Sequence, residues 1–233
     1  MREENKIIHV YCVPGMAAST DIFENIRLPE DEFQIHLLKW ELPFKKESLQ
    51  DYARRMAQKV KHKNSVLLGV SFGGVLIQEM ADFLNPQKLI IISSVKSWKE
   101  FPRRMKFARK TGIYHLLPTG LIKHFGFLSK LPLGKVVRKR IRLYRRYLGV
   151  EDKSYLDWAF RELLNWNQYE PKRDLIHIHG ERDFILPIKY VKTCIPVPKG
   201  THIMIINRYR WFNKNLPQLI KSPASIKMNY EVK

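Results

Sequence analysis

Apolar residues follow two alternating patterns along the chain. Short continuous apolar runs bounded by turn residues indicate buried strands, and apolar residues recurring every three or four positions indicate amphipathic helices. The predicted strands are Lys6–Val13, Phe33–Trp40, Ser65–Val70, Lys88–Ser93, Asp174–His179 and Thr193–Val197. The predicted helices are Ile22–Ile26, Ser48–Val60, Val75–Leu84, Lys153–Asn165 and Trp211–Ile220, the last interrupted or ended at Pro217. This alternation predicts an α/β fold with a mostly parallel sheet of about six strands and flanking helices.

The alternation stops between residues 96 and 166, where helix-like pieces are broken by proline and glycine. We therefore expect residues 1–95 and 167–233 to form the sheet domain and residues 96–166 to form an inserted helical cap. Such insertions commonly cover the carboxyl end of an open sheet, where ligands bind. The cap is rich in large apolar side chains, which could line a pocket or pack against the sheet domain.

Positive charge is concentrated in the same segment. The 233 residues include 42 Lys and Arg against 22 Asp and Glu, a formal charge of +20. Between Lys96 and Arg146 there are sixteen basic residues and one acid, Glu100, which together supply +15. The electrostatic field of this positive charge favours an anionic partner, such as an acidic carrier or an acidic surface. The alternative is that the basic residues are simply solvated and contribute only to solubility. No recognised nucleic-acid-binding motif accompanies the charge, so a nucleic-acid partner is not expected.

The remaining bulk properties predict a cytoplasmic protein. The length suits one domain with a sizeable core, no apolar run approaches the roughly 20 residues of a membrane span, and the charged N-terminus does not resemble a signal peptide. Cys12 and Cys194 are too few for a disulfide framework. Because both lie in apolar strand-like runs, we expect buried free thiols in a reducing compartment.

One serine lies between two glycines at a predicted strand-to-helix turn. The stretch LLGVSFGGVL contains Gly69, Ser71 and Gly73 in a G-x-S-x-G pattern. A serine that exposes its hydroxyl at such a turn needs small neighbours, which would explain both glycines. The motif alone is weak, because a structural glycine-rich turn would look the same.

Candidate partners for this serine follow two later strands. Asp183 lies in HGERDFILP, just after the fifth predicted strand, and His202 lies in GTHIM, just after the sixth. A serine hydroxyl needs a general base, and the base needs an orienting acid. Carboxyl ends of parallel strands meet at one edge of the sheet, so the three side chains are expected to converge.

The three motifs in this order resemble those of the α/β-hydrolase superfamily, in particular small single-domain serine hydrolases with a helical cap. The resemblance covers residues 6–220, although the cap matches in position and character more than in sequence. It implies that Ser71 is the nucleophile, Asp183 the orienting acid and His202 the base. It also implies an oxyanion hole built from the backbone amide of Phe72 and from the loop after the first strand, with Met16 the first choice and Gly15 the second.

The sequence offers no zinc-like spacing of Cys and His, no P-loop and no dinucleotide fingerprint, so neither a metal nor a cofactor is expected. His9, His36 and His177 are interpreted as packed or edge histidines, and His62 as an exposed one.

The predicted function is a serine hydrolase that cleaves an ester or thioester of a small acyl substrate through an acyl-enzyme on Ser71. The alternative is a non-catalytic binding protein on a hydrolase scaffold, whose basic cap holds an anionic partner.

Overall fold

A computed structural model of the chain describes residues 7–63, 65–113 and 146–222. Six strands form one sheet: β1 (Ile8–Val13), β2 (Phe33–Leu37), β3 (Val66–Val70), β4 (Lys88–Ile92), β5 (Leu175–Gly180) and β6 (Ile195–Val197). Their order in the sheet is β2-β1-β3-β4-β5-β6, and every neighbouring pair is parallel. The predicted α/β class and six-stranded parallel sheet are therefore confirmed.

The described residues form six α-helices, of which the first, second, fourth and sixth match predicted helices, the fourth at both ends and the others with shifted ends. They are α1 (Leu49–Ala57), α2 (Phe72–Met80), α3 (Arg103–Thr111), α4 (Lys153–Asn165), α5 (Met204–Asn207) and α6 (Tyr209–Lys221). Among the residues that the structure describes, three short 3-10 helices lie at Thr20–Phe23, Trp98–Glu100 and Ile188–Tyr190. Side chains of Ser19, Ser48 and Asp152 accept backbone N–H bonds at the starts of the Thr20–Phe23 helix, α1 and α4. Such N-caps satisfy amides that have no partner within a helix. Within the described ranges, no helix is long and apolar enough to cross a membrane.

The prediction that Pro217 interrupts or ends the last helix is wrong. Helix α6 continues through Pro217 to Lys221. A proline within a helix removes one backbone hydrogen bond and weakens the helix. Here Phe212, Leu216 and Ile220 are all fully buried, on one face of α6 and at four-residue spacing. Their burial on both sides of the proline stabilises the helix enough to outweigh the lost bond.

Alternate strand residues point to two separate core layers. Tyr11, Leu67 and Ile91 pack on one side of the sheet with the apolar faces of α1, α2 and α4. Val10, Leu68 and Ile90 pack on the other side with α5, α6 and the Thr20–Phe23 helix. Since strand side chains alternate between faces, a sheet covered on both sides needs nearly continuous apolar strands. This explains the unbroken apolar runs of β3 and β4.

The predicted cap is described only at its two ends. Helix α3 has no buried residue, whereas α4 contributes Tyr155, Leu156 and Trp158 to the core layer that contains α1 and α2. Residues 114–145, which form the middle of the predicted cap and contain eight of its sixteen basic residues between Lys96 and Arg146, lie outside the described residues. The boundaries of the cap stay a prediction.

Candidate active site

Ser71 lies at the sharp turn between β3 and α2. Its backbone has φ 52° and ψ −119°, a combination that non-glycine residues rarely adopt. Its amide donates to the Ile92 carbonyl at 2.9 Å, and its carbonyl accepts from the Gly74 amide at 2.9 Å and the Ser94 hydroxyl at 2.7 Å. The surrounding hydrogen bonds thus hold a strained conformation, of the kind that clusters at functional sites.

The two glycines of the motif are required by close backbone contacts. A Cβ atom at Gly69 would lie 2.3 Å from the Gly73 carbonyl oxygen, and one at Gly73 would lie 2.3 Å from the Pro14 carbonyl oxygen. Both distances are far below van der Waals contact. Gly69 and Gly73 therefore let β3, α2 and the loop after β1 approach each other around Ser71.

Asp183 lies past the carboxyl end of β5, and its side chain is fully buried. One carboxylate oxygen, Oδ1, accepts backbone N–H bonds from Ile185 and Leu186, each at 2.8 Å. The other, Oδ2, lies 2.8 Å from Nδ1 of His202. Because the two backbone bonds fix the carboxylate, Oδ2 is held in position to orient the imidazole.

His202 connects the acid to the serine. Its Nε2 lies 3.0 Å from Oγ of Ser71, and its side chain is 20% exposed. When Nδ1–H donates to Asp183, Nε2 carries the lone pair and can accept the serine hydroxyl proton. The structure thus brings Ser71, Asp183 and His202, the three residues singled out in the sequence, into one hydrogen-bonded chain. Such an arrangement can activate a hydroxyl for nucleophilic attack.

The proposed oxyanion donors flank the serine. Phe72 is the first residue of α2, where backbone N–H groups have no acceptor within the helix. Gly15 lies directly against the serine, since a Cβ added there would be 3.5 Å from Cβ of Ser71. The Gly15 carbonyl accepts from the Trp40 indole at 2.8 Å and from the Ala18 amide at 3.0 Å, which fixes the turn containing Met16. Phe72, Met16 and Gly15 therefore lie on the elements around Ser71, and their role as donors stays a prediction.

Two buried histidines lie behind the acid. Nε2 of His179 lies 2.7 Å from the Leu186 carbonyl oxygen and can donate to it, and Nδ1 of His179 lies 2.9 Å from Nε2 of His177. Burial lowers the pKa of His179 and lowers the pKa of His177 well below its usual value. Both rings are therefore neutral, and they support the turn that presents Asp183. The position of His179 in the motif HGERDFILP indicated that it lies near Asp183, whereas no motif in the sequence indicated that His177 lies there too.

An apolar pocket of about 410 Å³ opens beside Ser71 and His202. Apolar side chains come from the loop after β1, from α4 and from the α5 region, among them Met16, Ile22, Leu148, Phe160, Leu163 and Ile206. Backbone bonds between Ser19 and Tyr147 and between Gly149 and Ala17 tie residues 147–149 to this loop. No local sequence pattern marks these residues, because the contacts that form the pocket join distant segments.

Both cysteines are buried and free, as predicted. Burial raises the pKa of Cys12 to about 12 and that of Cys194 to about 11. A thiol needs to ionise to act as a nucleophile, so neither cysteine competes with Ser71 for that role.

No protein-family model matches the chain, and no curated protein matches it. Solved structures do match. An esterase from Exiguobacterium antarcticum is 18% identical, with a TM-score of 0.62 over 92% of each chain. The RedJ thioesterase of the prodiginine pathway in Streptomyces coelicolor is 16% identical, with a TM-score of 0.56 over 93% of this chain and 87% of that one. A bromoperoxidase from Bacillus anthracis is 15% identical, with a TM-score of 0.65 over 93% of each chain.

At these identities the matches show a shared architecture and nothing finer. The parallel six-stranded sheet, the strand-to-helix turn at Ser71 and these structural matches agree with one another. The chain has the α/β-hydrolase fold.

Proposed function

We propose that the protein is a serine hydrolase that cleaves an ester or thioester through an acyl-enzyme on Ser71. The observation that carries the proposal is the chain from Asp183 Oδ2 to His202 Nδ1 at 2.8 Å and from His202 Nε2 to Ser71 Oγ at 3.0 Å. A buried acid, an oriented imidazole and a serine at a strained turn are the parts that acyl transfer requires.

The reaction follows from this geometry. His202 takes the hydroxyl proton of Ser71 as Oγ attacks the substrate carbonyl carbon, and Asp183 stabilises the resulting imidazolium. The carbonyl oxygen becomes an oxyanion, which the amide of Phe72 and an amide of Met16 or Gly15 would stabilise at the start of α2. His202 then returns the proton to the leaving alcohol or thiol, and the acyl group stays on Oγ. Water activated by His202 releases the acid and restores the serine.

The apolar pocket supports an acyl substrate. Its walls are almost entirely aliphatic or aromatic, and it adjoins both reacting side chains. Burying a methylene group is worth about 0.8 kcal/mol, so each carbon of an acyl chain that enters the pocket adds to binding. Two of the structural neighbours are described as an esterase and a thioesterase, which is in keeping with this substrate class.

The basic segment suggests an anionic leaving part, such as an acidic carrier. Arg104 of α3 donates to the carbonyls of Phe184 and Ile185, and Ile185 lines the pocket. A cationic side chain thus contacts the backbone of a residue that lines the pocket. For an anionic thioester, kcat/KM should fall steeply as salt rises, whereas a neutral ester should respond little. Equal salt responses of the two substrates would argue against the anionic carrier.

A fluorophosphonate probe tests the hydrolase directly, because it modifies only an activated serine. We expect the probe to label the wild type and to leave Ser71→Ala unlabelled. Ser154→Ala, which removes an exposed serine on α4, is the matched control and should label like the wild type. Labelling that persists in Ser71→Ala, or no labelling of the wild type, would favour the non-catalytic binding protein instead. An acyl-ester and thioester screen by chain length then identifies the preferred substrate.

A further inference from the structure

Three histidines that are far apart in sequence meet at the edge of the sheet. Their candidate ligand nitrogens, one from each of His9, His36 and His62, all lie within 4.8 Å of one another. Nδ1 of His9 is 2.9 Å from Nε2 of His36, and the rings of His9 and His62 stack with centroids 3.4 Å apart.

Strand pairing produces this convergence. His9 lies on β1 and His36 on the edge strand β2, and the register pairs Tyr11 with His36. Residues two apart on a strand, and paired residues on neighbouring strands, share a face of the sheet. His9 and His36 therefore project to the side that α1 covers. His62 lies in the segment after α1 and completes the group on that same side of the sheet.

Two of the three imidazoles, those of His9 and His36, are suited to bind a metal in their neutral form. Burial and the neighbouring His62 lower the pKa of both His9 and His36. At neutral pH these two rings are uncharged, and each keeps a lone pair on one nitrogen. Neutral imidazole is a preferred ligand of zinc and of neighbouring transition metals.

Tyr11 supplies the supporting contact that metal-bound histidines usually have. Its hydroxyl lies 2.7 Å from Nδ1 of His62 and accepts the Lys61 amide at 3.0 Å. With the His62 proton on Nδ1, the ring donates to the Tyr11 oxygen and leaves Nε2 free to bind a metal. Hydrogen bonds of this kind fix the tautomer and orientation of a ligand.

We propose that His9, His36 and His62 form a binding site for one divalent transition-metal ion, with Zn²⁺ the expected occupant. Zinc–nitrogen bonds of about 2.05 Å place tetrahedral ligand atoms about 3.3 Å apart. Binding therefore requires the His9–His36 pair, now at 2.9 Å, to open by about 0.4 Å, and the ring of His62, which stacks on His9, to turn until its nitrogen faces the same point. An open cleft of about 710 Å³, lined by His9, His62, Lys61 and Lys63, leaves room for a solvent or anionic fourth ligand.

The site is separate from the proposed hydrolase chemistry. His9 precedes the carboxyl end of β1 by four residues, roughly 13 Å of strand. The triad lies beyond that carboxyl end. A metal at the histidines would join the edge strand, β1 and the segment after α1, so its effect is on stability.

Zinc titration of metal-stripped protein without a polyhistidine tag tests the proposal. By calorimetry we expect one Zn²⁺ per chain with micromolar or tighter affinity, and a higher midpoint of thermal unfolding. Co²⁺ should give the intense visible absorption of four-coordinate cobalt. His36→Ala and His62→Ala should each weaken Zn²⁺ binding by at least about tenfold, and Tyr11→Phe should weaken it by about tenfold. His202→Ala is the matched control, because it removes a histidine elsewhere, and should bind Zn²⁺ like the wild type.

Circular dichroism of the metal-free variants checks their folding. If His36→Ala does not fold, His62→Gln serves in its place, because His62 lies in the segment after α1 and not within a strand of the sheet. The proposal fails if the wild type binds neither Zn²⁺ nor Co²⁺, or if the folded histidine variants bind as tightly as the wild type. It also fails if binding is lost only in His202→Ala, since the metal would then lie at the triad.

Discussion

Nε2 of His202 lies 3.0 Å from Oγ of Ser71, although 131 residues separate them in the chain. The contact exists because β3 and β6 end at the same edge of one parallel sheet, where Ser71 follows β3 directly and His202 lies in the loop after β6. Two residues with no local relationship thus form one proposed catalytic unit.

The first prediction is that these residues act as a unit. Ser71→Ala and His202→Ala should each lower kcat by at least about 10⁴-fold, and the double variant should be no slower than either single variant. Each loss removes the same activated hydroxyl, so the effects do not add. Steady-state kinetics on an activated ester measures all three. Multiplicative losses would mean that the two side chains contribute independently.

The approach of Ser71, Asp183 and His202 to one another could be predicted from the sequence, because each residue lies in a short local motif after a strand. The pocket and the histidine cluster could not. Leu148 reaches the pocket through backbone pairing of residues 147–149 with the loop after β1. His36 reaches His9 through the β1–β2 register. Both contacts depend on pairing between distant segments, which no local pattern of residues specifies.

A second prediction concerns the glycines around Ser71. Gly73→Ala should lower the free energy of unfolding by about 1–3 kcal/mol, because the new Cβ would lie 2.3 Å from a backbone oxygen that cannot move freely. Gly15→Ala is the matched control: its Cβ would have no neighbour closer than 3.5 Å. Urea denaturation should show a clearly lower free energy of unfolding for Gly73→Ala and little change for Gly15→Ala. Equal stabilities would show that the turn can relax around an added methyl group.

A third prediction tests the pocket. Leu163→Trp and Ile206→Trp narrow it from two different elements, α4 and α5. We expect each variant to lower kcat/KM for long-chain acyl esters by at least about tenfold and to leave kcat/KM for acetyl esters almost unchanged. Only long acyl chains need the part of the pocket that the new tryptophan side chain occupies. Leu42→Trp, at an exposed leucine that does not line the pocket, should not alter chain-length preference. If kcat/KM fell by the same factor for every acyl chain length, the acyl group would bind outside this pocket.

The last prediction follows from the buried histidines. Burial, with His179 and Lys96 nearby, holds the pKa of His177 well below 6.5 in the folded chain. The unfolded chain therefore binds a proton first as the pH falls. The free energy of unfolding should be fully retained above about pH 6.5 and should decrease below it, by up to about 1.4 kcal/mol per pH unit for this group.

His177→Asn should reduce that dependence by about one proton, because Asn does not titrate. Urea denaturation between pH 7 and pH 5 measures the difference in slope between the two proteins. Acid-titrating groups that do not contact His177 contribute equally to both proteins and cancel in the comparison. Parallel slopes would mean that folded His177 takes up its proton as readily as the unfolded chain does, and that burial does not keep this ring neutral.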